Sequence, residues 1–182
     1  MNRYEIILAG IGGQGLLLAG LIVGDAAAIS DGKYAVQTET YAPLARGGSS
    51  KSEIIISEEE IDYPKVRKAD LLVALSQEAY DSNINQVKND GLIIIETDMV
   101  KSFKEHKNLL SVPLTSIAME STKKPFTVSI VALGVVSRVT GRTNMLSLVS
   151  SIGQRAPNGT EDINQKALEA GFLYAEKLHS RA

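Results

Sequence analysis

The sequence has no cysteine. That absence excludes disulfides, zinc ribbons, thiolate catalysis and cysteine-ligated iron–sulfur clusters within the chain. Tryptophan is also absent and aromatic residues make up 5% of the chain, so the core must rest on Ile, Leu, Val and Ala. No run of roughly 18 apolar residues is present, which leaves no candidate membrane span. The N-terminus shows no charged region followed by a long apolar run, so no secretory signal is expected and a cytoplasmic location is the default. An excess of charge of one sign is lacking too. The formal net charge is −2, and the basic residues are scattered apart from short clusters such as Lys65, Arg67 and Lys68. Nothing here makes an electrostatic footprint for nucleic acid or a basic helix for docking on a membrane.

Several catalytic constellations are missing as well. There is no G-x-S-x-G elbow, no Walker-A lysine and no Glu/His cluster with metal-ligand spacing. His106 and His179 sit in polar contexts and are expected at the surface, as is the acidic turn Glu58-Glu59-Glu60. Gly-Asp-Gly with a downstream Asn-Asn pair, a common thiamine diphosphate signature, is not found, and Asp90-Gly91 reads as a turn.

What remains is an ordinary globular composition, 182 residues with 44% hydrophobic and 22% charged. One domain over residues 1–182 is expected, burying roughly 70% of its unfolded surface without a covalent or metal staple. Tyr4 to Ala9 reads as a buried strand, and a Leu- and Ala-rich helix pattern runs from Gly15 to Ser30, ended by Asp31-Gly32. Tyr34 to Thr38, Glu53 to Ser57, Leu71 to Leu75, Leu92 to Ile95 and Leu109 to Leu114 supply further strands, the last broken by Pro113. Ser76 is placed to cap a helix reaching Asn89. After Ser121 the chain reads as helical, with Phe126 to Thr140 apolar on nearly all sides, Asn144 to Ile152, and Glu161 to His179 capped by Thr160. The alternation predicts an α/β fold, a three-layer α/β/α sandwich with a mostly parallel sheet and a Rossmann-like opening.

Two loops stand out. Gly10, Gly12 and Gly15 fit G-x-G-x-x-G between the first strand and the first helix, with Gly13 and Gln14 between. That spacing suits a tight turn, close approach of a phosphate to backbone N–H groups, and close helix–strand packing at the positive end of a helix. Glu39, at the end of the second strand, is the candidate to hold a ribose. No later segment supplies a second mononucleotide half or a catalytic histidine, so the turn is open to three readings: nucleotide site, bare structural turn, or contact with a ligand or partner inside a complex. The second loop, Tyr41-Ala42-Pro43-Leu44-Ala45-Arg46-Gly47-Gly48-Ser49-Ser50, offers a planar guanidinium beside glycines and serines. Tyr41 and Gln37 are placed to add hydrogen bonds. Both loops are expected on one edge of the sheet.

Together these motifs resemble one family. Gly10-Ile11-Gly12-Gly13-Gln14-Gly15 looks like the G-x-G-G-Q-G signature of the γ subunit, or γ domain, of 2-oxoacid:ferredoxin oxidoreductases. Glu39 to Gly48 resembles that family's Y-G-P-E-x-R-G-G loop. Ile61-Asp62-Tyr63-Pro64 and the Asn164, Ala167, Gly171 pattern of the last helix agree. Ala42 and Leu44 depart from the pattern, where relatives carry Gly and Glu. The pyruvate, 2-oxoglutarate, branched-chain and indolepyruvate branches stay open, with a slight preference for 2-oxoglutarate.

The resemblance implies a multisubunit enzyme that decarboxylates a 2-oxoacid on thiamine diphosphate with Mg2+. It passes electrons through [4Fe-4S] clusters to ferredoxin and the acyl group to coenzyme A. The α, β and ferredoxin-like δ subunits would carry the cofactors. This chain, without clusters, thiamine motif or catalytic residue of its own, would help enclose the substrate or coenzyme A through Gly10, Gly12, Gly13, Gln14, Gly15, Tyr41, Arg46, Gly47 and Gly48. A stand-alone dinucleotide-binding oxidoreductase and a non-catalytic assembly subunit are the alternatives, and a homodimer of the isolated chain is possible.

Overall fold

The computed structural model describes residues 3–41 and 48–179, without the side chains of Tyr41 and His179. The first strand, β1 (Arg3–Ile11), is contiguous in apolar residues because both of its faces are covered. Ile6 and Leu8 point into one helical layer with Ile54, Ile56, Leu71 and Val73. Ile7 and Ala9 point into the opposite layer with Ile55, Leu72, Ile93 and Ile95. The strand runs two residues further than its apolar core, so Gly10 and Ile11 belong to the ladder rather than to the turn.

Among the described residues the sheet has six strands, completed by β2 (Tyr34–Tyr41), β3 (Ser49–Ser57), β4 (Ala69–Ala74), β5 (Val87–Glu96) and β6 (Leu109–Val112), in the order β2-β3-β1-β4-β5-β6. The β1–β4, β4–β5 and β5–β6 pairs are parallel. β3 runs antiparallel to both β1 and β2 and separates them. The sheet is therefore mixed, and the strand–helix–strand opening is split. The physical reason lies in the connection between β2 and β3. It is too short for the dozen-residue crossover that a parallel partner requires, so the chain turns back as a hairpin. Carboxylates fix the far ends of the central strands. Buried Glu5 receives Arg3 Nε at 2.6 Å and the N–H groups of Arg67 and Lys68 at 2.7 and 3.1 Å. Its own N–H donates to Asp70, which also takes Lys88 Nζ at 2.7 Å.

The first helix, α1 (Leu16–Asp25), continues through a wide π-helical turn, Ala26–Ser30, and ends at Gly32 with φ +66°. α2 (Gln77–Asn83) begins at the expected cap, where Ser76 Oγ accepts the Ala79 N–H at 3.2 Å. It ends sooner than expected, because a 3-10 turn leads into a ten-residue β5. Asp90-Gly91 is a correction: it lies inside β5 at a register shift opposite Ala69 and Leu71. A methyl group at Gly91 would come within 2.7 Å of Val87 Cγ1, which explains the glycine at this irregularity.

The helix α3 (Leu114–Thr122) has no counterpart in the sequence expectations. Its N-terminus is capped from a distance: fully buried Glu96 accepts the Thr115 N–H at 2.7 Å and its hydroxyl at 3.0 Å. α4 (Val128–Thr140), α5 (Met145–Arg155) and α6 (Glu161–His179) follow closely where the sequence places them. Every residue from Val128 to Ser137 is buried. α4 and α6 cross on two glycines. A methyl group at Gly134 would collide with the Leu168 carbonyl and lie 2.7 Å from Phe172 N, and one at Gly171 would collide with the Val131 carbonyl. These helices share one apolar cluster with the sheet. No helix among the described residues is long and apolar enough to cross a membrane.

Gly134→Ala and Gly171→Ala should each destabilise the protein by about 2–3 kcal/mol, because backbone rather than a flexible side chain would have to move. Urea unfolding checks this: the midpoint should fall with the slope unchanged.

Candidate functional site

The glycine-rich turn sits where β1 ends, beside the start of β3. It is closed upon itself. Gln14 Oε1 accepts the Ile11 N–H at 2.8 Å, and the Gln14 N–H reaches the Ile11 carbonyl at 3.4 Å. The Gly12 N–H donates to the Gly48 carbonyl at 2.9 Å, which ties the turn to the hairpin loop. Each glycine has its own reason. At Gly10 a methyl group would collide with the Gln14 carboxamide, so the bare Cα is what lets that side chain fold back. Gly13 and Gly15 have φ of +90° and +76°, a region that strains any side-chain-bearing residue. Gly15 is also the N-cap of α1, and a methyl group there would come within 3.0 Å of the Phe126 carbonyl. Among the described residues no side chain caps α1, which leaves its first-turn N–H groups without a side-chain acceptor from them. Gly13 is exposed, with nothing within 4 Å of a Cβ built there.

Gly10, Gly12, Gly13, Gln14, Gly15 and Gly48 are thus one cluster. Ser49 and Ser50 pair with Ile11 and Gly10 in the ladder. The backbone of Tyr41 pairs with Ser50 on the outer side. The Tyr41 side chain, Arg46 and Gly47 lie outside the described residues. Gly48 meets the glycine turn because β3 returns beside β1, not because β1 and β2 are neighbours. On the face away from α1, a cavity of about 170 Å³ lies between Gly10, Ser49, Ser50, Lys51, Glu78 and Asn83. Lys51 there is paired to Glu53 at 3.1 Å.

Two other candidates are corrected. Gln37 is not free for a ligand, since its Nε2 donates to the Leu17 carbonyl at 3.1 Å and to Ser52 Oγ at 2.7 Å, clamping α1 to the sheet. Glu39 cannot hold a ribose at the glycine turn, because the whole of β3 lies between β2 and β1. With the Ile11 and Gly12 N–H groups also engaged internally, the dinucleotide geometry is lost on two counts. His106 is half-buried rather than on the open surface, its Nδ1 accepting the Asn108 N–H at 3.2 Å.

A cavity of about 530 Å³ lies at the opposite end of the sheet, between Tyr4, Asp70, Leu92, Leu110, Val139 and Arg142. Its wall comes from segments far apart in the chain, so no local motif announces it. Arg142 lies over the Tyr4 ring at 5.2 Å. The Tyr4 hydroxyl is pushed up to about 12, first by burial and then by the Asp70 carboxylate, with Arg142 opposing.

The chain belongs to the pyruvate ferredoxin/flavodoxin oxidoreductase family, whose pattern matches residues 5–174. It is 45% identical to the 2-oxoglutarate synthase subunit KorC of Methanocaldococcus jannaschii, across 97% of this chain and 96% of that protein. It is 32% identical to the ketoisovalerate oxidoreductase subunit VorA of Methanothermobacter marburgensis, across 97% of this chain but 37% of that longer protein. The crystal structure of a keto/oxoacid ferredoxin oxidoreductase γ subunit from Geobacter sulfurreducens superposes with a TM-score of 0.86 at 36% identity, covering 97% of this chain and 98% of that one.

Gly10→Ala and Gln14→Ala should each cost about 1–2 kcal/mol, since both remove the acceptor of the Ile11 N–H. The double variant should cost little more than either alone, as a double-mutant cycle in urea would read. At the other end of the sheet the folded Tyr4 binds its proton more tightly than the unfolded chain does. Its contribution to stability is complete below pH 10 and is lost as pH rises towards 12. Tyr4→Phe should flatten that alkaline loss in a series of thermal melts.

Proposed function

We propose that this chain is the γ subunit of a 2-oxoglutarate:ferredoxin oxidoreductase and contributes a wall of the active site rather than a reacting group. The observation that carries the reading is the 45% identity running almost end to end with a 2-oxoglutarate synthase subunit. The ketoisovalerate relative is more distant and only one segment of it corresponds.

Thiamine diphosphate with Mg2+, [4Fe-4S] clusters and coenzyme A supply decarboxylation, electron transfer to ferredoxin and acyl capture in such an enzyme. This chain's residues do not suit the first three. Without cysteine it cannot ligate a cluster, and no group of three His, Asp or Glu among the described residues is arranged to hold a metal ion. The α, β and ferredoxin-like δ subunits would carry them. Coenzyme A suits the glycine edge better. Gly13 admits a close approach, the uncapped first turn of α1 presents N–H donors, and the Gly48 carbonyl is bonded to that turn. Arg46 would pair with an anionic group of the ligand or with a partner carboxylate.

The internal hydrogen bonds of Ile11 and Gly12 favour a second reading, in which the edge only packs against a partner subunit. One experiment separates the two. The chain is co-produced without oxygen with its partner subunits, and 2-oxoacid- and coenzyme A-dependent reduction of a viologen dye is measured. The first reading expects 2-oxoglutarate to be preferred over pyruvate and 2-oxoisovalerate by at least about tenfold in kcat/KM. It also expects Arg46→Ala to raise the KM for coenzyme A at unchanged complex mass. Unchanged kinetics with an altered complex mass would leave only the packing role.

A further inference from the structure

The larger helical layer seals the middle of its face of the sheet and leaves one corner open. On β1, β5 and β6 the inward residues Ile6, Ile94 and Val112 are 2% exposed or less. Two positions back on the same strands stand Tyr4, Leu92 and Leu110. They face the same apolar cluster and pack against it, yet each is only half-buried. α4 repeats the pattern: Val135 is fully buried, and Val139, one turn on, is half-buried. Leu178 of α6 is half-buried too. All five open side chains border the cavity of about 530 Å³. Small-molecule sites occupy roughly 300–1,000 Å³ and are mostly apolar with a few convergent polar groups. The walls therefore suit an apolar body of small-ligand size.

The polar groups decide what that body carries. Asp70 is already engaged: Oδ2 accepts the Glu5 N–H at 2.9 Å, and Oδ1 accepts Lys88 Nζ at 2.7 Å. Lys88 also matches its charge. Asp90 is exposed, where water and salt screen it. The donors are left over. Among the described residues neither the Arg142 guanidinium nor the Tyr4 hydroxyl has a hydrogen-bond or ion-pair partner. The two are close together, with the guanidinium 5.2 Å from the Tyr4 ring centroid. Burial, and then the Asp70 carboxylate, keep the Tyr4 proton in place far above neutral pH, so the hydroxyl stays able to donate. The planar fork of guanidinium N–H groups matches a carboxylate. An ammonium ligand would meet Arg142 as a like charge, and a neutral one would forgo the charge-assisted bond.

We propose that this cavity binds an amphipathic anion, an alkyl or aryl body carrying one carboxylate. The body lies among Leu92, Leu110, Val139 and Leu178. The carboxylate accepts from Arg142 and from the Tyr4 hydroxyl. The site is at the opposite end of the sheet from the glycine turn, so its occupant does not compete with a ligand held there. The proposal does not depend on the function proposed above.

Octanoate, octylammonium and octanol share one tail and differ in charge, which makes them suitable probes. Each is titrated into the full chain in a calorimeter. Octanoate should bind at a single site per chain, at least about tenfold more tightly than octylammonium or octanol. Arg142→Gln should weaken octanoate about tenfold and leave octanol unchanged. Because Arg142 is exposed, the far-ultraviolet circular dichroism spectrum of that variant should match the parent. In methyl NMR spectra octanoate should shift the signals of Leu92, Leu110 and Val139. Absence of saturable octanoate binding at millimolar concentration would overturn the proposal. So would equal or tighter binding of octylammonium or octanol, full octanoate affinity in Arg142→Gln, or shifts gathered at Leu16 and Leu18 beside the glycine turn.

Discussion

The antiparallel pairing of β1 with β3 is the constraint on which the rest of the molecule depends. It puts Gly48 beside the glycine turn, so that its carbonyl can meet the Gly12 N–H. It also pushes β2 to the edge, which removes the acid that a dinucleotide site would need. The same register sets Ser52 beneath α1, where Gly20 has no side chain and Gln37 spans from helix to strand. A parallel β2 in that place would have produced a nucleotide fold from nearly the same opening residues.

The two faces of the sheet are covered unequally. One carries α1, α3, α4, α5 and α6 with a large shared core. The other is closed by the short α2 and the loop around Val100, which contribute a smaller cluster. This asymmetry explains why α4 can be buried from Val128 to Ser137, lying as it does between sheet and α6, with carbonyl groups standing where side chains would normally keep two helices apart.

Much of this was legible in the sequence. The first strand, the glycine turn, the Ser76 cap, and the last three helices could be read from local patterns, and the paired glycine motifs led to the family. Three features were hidden for a common reason: each is decided by residues far apart in the chain. α3 depends on the carboxylate of Glu96 from another element. The extension of β5 through Asp90-Gly91 depends on β4 accepting an irregular register. The far cavity is walled by pieces of both halves of the chain. The antiparallel course of β3 was different, since the short link between β2 and β3 already ruled out a parallel crossover there.

The hydrogen bond from the Gly12 N–H to the Gly48 carbonyl sits one residue before β3 begins, so it inherits the register of β3 on β1. A slip of that register by one residue would leave the Gly12 donor without its acceptor as well as turning the apolar residues of β3 to the wrong faces, so the glycine turn and the core are held to the same alignment.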